Sequence, residues 1–307
     1  MIRKILKWIA IVLGSLVGLL VLVVVALFII GEVKWNQTYE NYDIPVETIP
    51  IPTDEASLAR GEHLATILVC KQCHGEDLSG MTLPDLPADI ATISVPNLTA
   101  GAGGVGATNG DEDWVRAIRH GVGHDGRGLV IMPSRAWYFF NDEDLGALIA
   151  YLKTIPPVNN ELPERRIGPL GRVMVALGQF PKPGAMTIDH DAPRPVAPEP
   201  GVTVEYGEYL AHTCTVCHGV NLNGATIPIP NTPGIRVPNL TPGGELGFWS
   251  EEEFITTLRT GVTPGGHELT DDMPWQYVGQ MTDEELEAIW LYLQSVPALE
   301  QDLSPLE

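Results

Sequence analysis

Two Cys-x-x-Cys-His motifs, Cys70-Lys-Gln-Cys73-His74 and Cys214-Thr-Val-Cys217-His218, use all four cysteines of the chain. This spacing is the attachment signal for c-type haem. Each thiol pair can form two thioethers to one porphyrin, and the adjacent His can ligate its iron. The chain is therefore expected to carry two covalent haem c groups, on Cys70 and Cys73 and on Cys214 and Cys217, with His74 and His218 as iron ligands. Haem held this way serves one-electron chemistry. A zinc site would gather four thiolates in one place, but leaves the His after each pair unexplained. A Cys-x-x-Cys disulfide closes too small a loop to staple a fold. A thioredoxin-like redox motif needs a surrounding βαβ pattern, which is missing here.

Each iron needs a second axial ligand. Met132 and Met273 are both followed by Pro, and both precede the last helical segment of their half of the chain. A lone Met is usually core filling, but matched placement in two halves favours ligation. A thioether ligand raises the potential, which suits electron transfer. Met81, Met281, Met174 and Met186 have no counterpart in the other half, and the first two read as packing residues. His63, His120, His190 and His212 are also unmatched and receive no ligand role. His124 and His267 fall in similar Gly-rich loops before Met-Pro.

The elements that must position these residues come in duplicate. Arg60-Gly-Glu-His-Leu-Ala65 answers Tyr206-Gly-Glu-Tyr-Leu-Ala211, and Val95-Pro-Asn-Leu-Thr99 answers Val237-Pro-Asn-Leu-Thr241. The turns Arg119-His-Gly-Val122 and Arg259-Thr-Gly-Val262 match, as do the closing segments Asp142–Leu152 and Asp283–Leu293. The order holds throughout, so one unit of about 100 residues is written twice. The readable elements are helical. Ser250 with Glu253 and Thr282 with Glu285 form capping boxes, and Asn141 can cap the equivalent helix of the first repeat. Leu145, Leu148, Ile149 and Leu152, like Leu286, Ile289, Trp290 and Leu293, then repeat at helical spacing.

The N-terminus belongs to neither repeat. Arg3, Lys4 and Lys7 precede an uncharged apolar run from Ile9 to Ile30. At about 1.5 Å per residue it spans the roughly 30 Å hydrocarbon core. With no clear Ala-x-Ala site after it, an uncleaved single-pass anchor is expected. The basic flank would stay in the cytoplasm and the rest would lie on the extracytoplasmic, periplasmic side of the cell membrane. Gly14 and Gly18 form a Gly-xxx-Gly pair that could seat another helix. The chain has 18 basic and 39 acidic residues, net −21. Nucleic acid is thus excluded as a partner, and a redox protein with a basic docking patch is favoured. The expected organisation is an anchor (1–31), a linker (32–56), a first domain (57–155), a Pro-rich connector (156–202) and a second domain (203–307). The apolar middle of the connector, Gly168–Gly178, reads as a short helix packed on a haem domain.

Each repeat resembles a class I cytochrome c domain: a helix leading into Cys-x-x-Cys-His, a Pro-containing loop, a Met-Pro loop and a closing helix ending in Tyr-Leu. The Pro-Asn-Leu-Thr and Arg-x-Gly-Val turns are also similar to those of cytochrome c subunits of bacterial membrane-bound alcohol and gluconate dehydrogenases. The resemblance implies an all-α fold, a tandem pair of class I domains behind a transmembrane helix. It implies that Leu64, Leu152, Leu210 and Leu293 line the haem pockets, that Pro96 and Pro238 accept the His N–H, and that Arg119 and Arg259 approach propionates. The expected function is electron transfer between extracytoplasmic redox partners, with the chain a carrier or a subunit of a membrane complex rather than an enzyme. The alternative is a dihaem enzyme such as a peroxidase, which would need one open distal position. The matched Met-Pro pair argues against it.

Overall fold

In the computed structural model, which describes residues 2–44, 46–83, 86–194, 196–227 and 234–306, the N-terminal apolar run forms one unbroken helix, α1 (Ile2–Tyr39). Its most apolar 18-residue window has a mean hydropathy of 3.1 and none of it is buried against the rest of the chain. The helix does not stop where its apolar stretch ends. It continues to Tyr39, with Trp35 and Tyr39 stacked on each other and packed edge-on against Phe180. The expected linker after residue 31 therefore begins as helix.

The first repeat holds α2 (Glu55–Ile67), α3 (Cys70–His74), α4 (Asp111–His120), α5 (Ser134–Trp137) and α6 (Asp142–Leu152). The connector contributes α7 (Pro169–Ala176). The second repeat holds α8 (Val204–Ala211), α9 (Thr215–His218), α10 (Glu251–Thr260), α11 (Trp275–Val278) and α12 (Asp283–Ser295). Among the described residues, the strands form only three two-stranded antiparallel ladders. They pair Met81–Thr82 with Ser94–Val95, Ala91–Thr92 with Arg166–Ile167, and Ala225–Ile227 with Ile235–Val237.

The caps read from sequence are in place. Asn141 accepts from the Asp144 N–H at 2.7 Å, and the two capping boxes start α10 and α12. In both repeats the first and last helices cross at a glycine. A Cβ on Gly61 would collide with the Ala147 carbonyl, and one on Gly207 with the Ala288 carbonyl. The backbones can approach this closely only without a side chain at the crossing. The crossings seat Leu64, Leu152, Leu210 and Leu293 in one apolar cluster, each no more than 3% exposed. Met281 is buried as expected, but Met81 is 36% exposed and packs little.

Helix α7 packs on the first haem domain, as expected, and on the anchor as well. It packs chiefly on the outer end of α1, where Gly31 lets the Arg172 backbone come into contact. Arg172 pairs with Glu32 and sits over the Phe28 ring, and Lys34 Nζ donates to the Ala176 carbonyl at 3.0 Å. The helix also packs on the first repeat, with Val175 in one apolar cluster with Ala91 and Ile93 and with Gly171 against the Ile90 carbonyl.

Candidate haem sites

Both motif histidines are buried, at 6% exposure each, and both rings are held the same way. His74 Nδ1 donates to the Pro96 carbonyl at 2.9 Å, and His218 Nδ1 to the Pro238 carbonyl at 2.8 Å. A carbonyl can only accept, so the proton sits on Nδ1 and the Nε2 lone pair is free for a metal. Burial lowers the His74 pKa against the opposing effect of the Pro96 bond, to about 4, and lowers that of His218 for the same reason. Both rings are neutral at physiological pH, as a ligand must be.

The thiols flank these rings on single helical turns. Cys70 is 8% exposed, and burial, reinforced by Cys73, pushes it up to about 12. Cys214 is likewise pushed up to about 12 by burial and then by Cys217. Met132 and Met273 are half-buried and pack against the same apolar cluster as Cys70 and Cys214. That cluster also holds buried polar atoms without a hydrogen-bond partner among the described residues, the indole Nε1 groups of Trp114 and Trp137. The buried Thr213 hydroxyl also has no partner among the described residues. A cofactor with a polar edge would satisfy such groups, so the residues present fit haem c in donor set, neutrality and surroundings.

The arginines depart from their expected role. Arg119, fully buried, donates to Glu47 at 2.5 Å, Asp142 at 2.8 Å and the Phe140 carbonyl at 2.9 Å. Arg259 donates to the Gly279 carbonyl and to Asp283. Both tie the middle helix of their repeat to the start of the last, and the buried Arg119 Nε has no partner among the described residues.

The two sites share an interface. Gln72 Nε2 donates to the Asp271 carbonyl at 3.0 Å, and Tyr277 Oη donates to Glu76 at 2.5 Å. The attachment turn of the first repeat thus touches the Met273 loop of the second, and these residues line a cleft of about 510 Å³. Burial pushes the Cys217 thiol up, and the nearby Cys73 adds to the rise. Beside the cleft, Arg60 grips Asp144 with two bonds of 2.8 and 3.0 Å and reaches Glu285 at 3.1 Å. Glu285 also accepts from His63 at 2.7 Å, and Tyr209 donates to Asp144 at 2.8 Å.

A second buried polar group ties the first repeat to the connector. His120 is fully buried, with its Nδ1 2.9 Å from His190 Nδ1. His190 Nε2 donates to the Ala185 carbonyl at 3.0 Å, so its Nδ1 accepts and His120 Nδ1 donates. Burial lowers the His120 pKa to about 4, against the pull of Glu47. Glu47 bridges Arg119 and Arg194.

The family model described as cytochrome c matches residues 58–156 and 204–297. The chain belongs to the cytochrome c family. Among its relatives, the fructose dehydrogenase cytochrome subunit of Gluconobacter japonicus is 27% identical over 83% of this chain and 55% of its own length. The gluconate 2-dehydrogenase cytochrome c subunit of Pantoea cypripedii is 30% identical over 80% of this chain and 60% of its own length. A protein named diheme cytochrome c-type from Cereibacter sphaeroides is 29% identical over 81% of this chain and 88% of its own length. The chain thus spans little more than half of the dehydrogenase subunits but most of the dihaem protein. As a cytochrome c with two attachment motifs it carries covalent haem c, and its apolar N-terminal helix anchors it in a membrane.

Proposed function

We propose that this cytochrome c relays single electrons between redox partners on the extracytoplasmic, periplasmic side of the membrane, as a dihaem subunit or close associate of a membrane dehydrogenase complex. The observation that carries the reading is the paired, neutral, buried histidine, each with Nε2 free beside two cysteines. Haem c, when bound, supplies a one-electron iron couple. The chain's part is to hold it still and dry. Cys70, Cys73, Cys214 and Cys217 would anchor it, and His74, His218, Met132 and Met273 would supply the iron ligands. Leu64, Leu152, Leu210 and Leu293 exclude water, which keeps reorganisation small when the charge changes. Two domains, 57–155 and 203–307, follow the anchor, and a basic patch on the partner complements the acidic surface. The dehydrogenase-complex assignment rests on the relatives' names and the shared architecture.

The test is an absorption spectrum of the oxidised and reduced protein, extended to the near-infrared band of Met-ligated ferric haem, with haem counted against protein. Two low-spin haems, both with that band and both indifferent to cyanide, support the reading. One high-spin haem that binds cyanide moves the function to a dihaem enzyme.

A further inference from the structure

The duplication permits a comparison within one molecule. After the middle helix of each repeat the chain makes the same small hairpin. Val122 bridges to Gly128, and Val262 to Glu268. Leu129 N–H bonds to the Gly121 carbonyl at 2.7 Å, and Leu269 N–H to the Gly261 carbonyl at 2.7 Å. The backbone is the same, yet the surroundings are opposite.

In the first repeat the hairpin is covered. Gly128 N–H donates to the Tyr39 carbonyl and Tyr42 N–H to the Gly126 carbonyl, at 3.0 and 2.8 Å. Arg165 donates to the Gly128 carbonyl at 2.6 Å, and Gly184 N–H to the Leu129 carbonyl at 3.3 Å. The outer end of α1 and the connector thus close this face, and the His120–His190 pair pins the connector down. Arg119, His120 and Val122 are fully buried. In the second repeat nothing among the described residues covers the equivalent face. Arg259 and Thr260 are exposed, and Val262 is 39% exposed. A groove of about 310 Å³ runs along α10 to Val262 and Pro264. It is lined in part by Thr257, 4% exposed, whose hydroxyl has no partner among the described residues.

We infer that this uncovered face of the second repeat is where an external redox protein with a lysine-rich surface docks, and that the first repeat is closed to it. The inference rests on the electron-transfer reading above and adds the place of exchange. The charge identifies the occupant. Glu251, Glu252, Glu253, Glu268, Asp271 and Asp272 are all exposed on α10 and the loop leading to Met273, where Arg259 is the one Lys or Arg and Lys71 lines the cleft beside Asp271. A basic partner gains rate and orientation there, while an acidic one is repelled.

The test uses the full chain in detergent and a lysine-rich mitochondrial-type cytochrome c as probe. Equilibrium binding and second-order electron exchange are measured for wild type, for Glu252→Lys/Glu268→Lys, and for Glu112→Lys at the position in the first repeat that answers Glu252. At about 10 mM salt the double variant binds about tenfold more weakly and exchanges correspondingly more slowly, with the gap closing near 0.5 M as screening sets in. Glu112→Lys stays within about twofold of wild type in the same assay. Unchanged binding by the double variant, or equal weakening by Glu112→Lys, overturns the inference. Haem stoichiometry and spectra of the same samples report on the dihaem reading separately, because binding is measured without reference to electron flow.

Discussion

Replacing Glu285 by Gln removes one charge from the seam between the two haem domains and leaves the volume in place. Glu285 is 4% exposed. Burial alone would push its carboxyl up. The hydrogen bond from His63, the Thr282 N–H and the charges of His63 and Arg60 outweigh this and hold its pKa at about 2, against an ordinary 4.5. A shift of that size corresponds to about 3.4 kcal/mol at about 1.36 kcal/mol per unit. Arg60 and His63 keep 28% and 26% of their side chains exposed, so solvent screening brings the expected loss to about 2 kcal/mol. Gln retains an oxygen for the Thr282 N–H, which Glu285 accepts at 2.9 Å, so the start of α12 stays capped. The folded pKa is depressed. The stabilisation is therefore complete above the ordinary value of 4.5 and is lost as pH falls toward 2. Urea unfolding of wild type and Glu285→Gln, followed by tryptophan fluorescence in detergent, would be compared at about pH 7 and pH 3. The variant should be less stable by about 2 kcal/mol at the higher pH, with under half of that gap left at the lower one. A gap below about 0.5 kcal/mol at neutral pH, or an equal gap at both, would refute the electrostatic account of the seam.

Three further outcomes follow from the same geometry. Gly61→Ala and Gly207→Ala each drive a methyl into a carbonyl across the first–last helix crossing, and should cost about 3 kcal/mol or more, read as a loss of haem content and a lower unfolding midpoint. Met132→His should lower the potential of one haem and remove half of the near-infrared band while leaving the second haem untouched, seen by spectroelectrochemical titration. His120 stays neutral down to about 4 while its unfolded counterpart takes a proton near its ordinary 6.5, so stability falls as pH drops through that window, by about 2 kcal/mol after screening. His120→Gln should flatten that slope in unfolding curves taken between about pH 7 and pH 4.

What the chain discloses before folding divides along physical lines. Local signals were legible: Ser250 with Glu253 and Thr282 with Glu285 cap helices because a hydroxyl and a carboxylate three residues apart can satisfy the same end, wherever the helix then packs. The leucine stripe of the closing helices and the attachment motifs are local too. The His63–Glu285 and Arg60–Glu285 contacts were not legible, since they join residues from different repeats and need the two domains already docked. The His120–His190 pair failed for the same reason, because a histidine unmatched in the repeat looked ordinary. The recurrence of glycine at Gly61 and Gly207 was visible in the duplicated segment, and only the closeness of the helix crossing explains it. The partners of the arginines, Asp142 and Asp283, sit 23 and 24 residues further along and meet them only once the middle and last helices have packed.

Duplication makes two equivalent haem sites, and the unduplicated parts of the chain then make them unequal. A flexible linker after the anchor would let both domains turn freely, and either could meet a partner. Here α1 runs on to Tyr39 and is clamped by α7 through Gly31, Glu32 and Lys34, so the anchor is built into the first repeat and covers its hairpin. The covered repeat holds buried Arg119 and the hydrogen-bonded His120–His190 pair, where the open one has Thr260 and a solvent-facing Arg259. Differences in burial and fixed charge of this kind tune haem potential. On the docking inferred above, an electron accepted at the open face of the second repeat would meet the first repeat directly, across Gln72–Asp271 and Glu76–Tyr277. On that inference, the order of transfer would follow from which face the anchor hides, without any difference in the haem attachment itself.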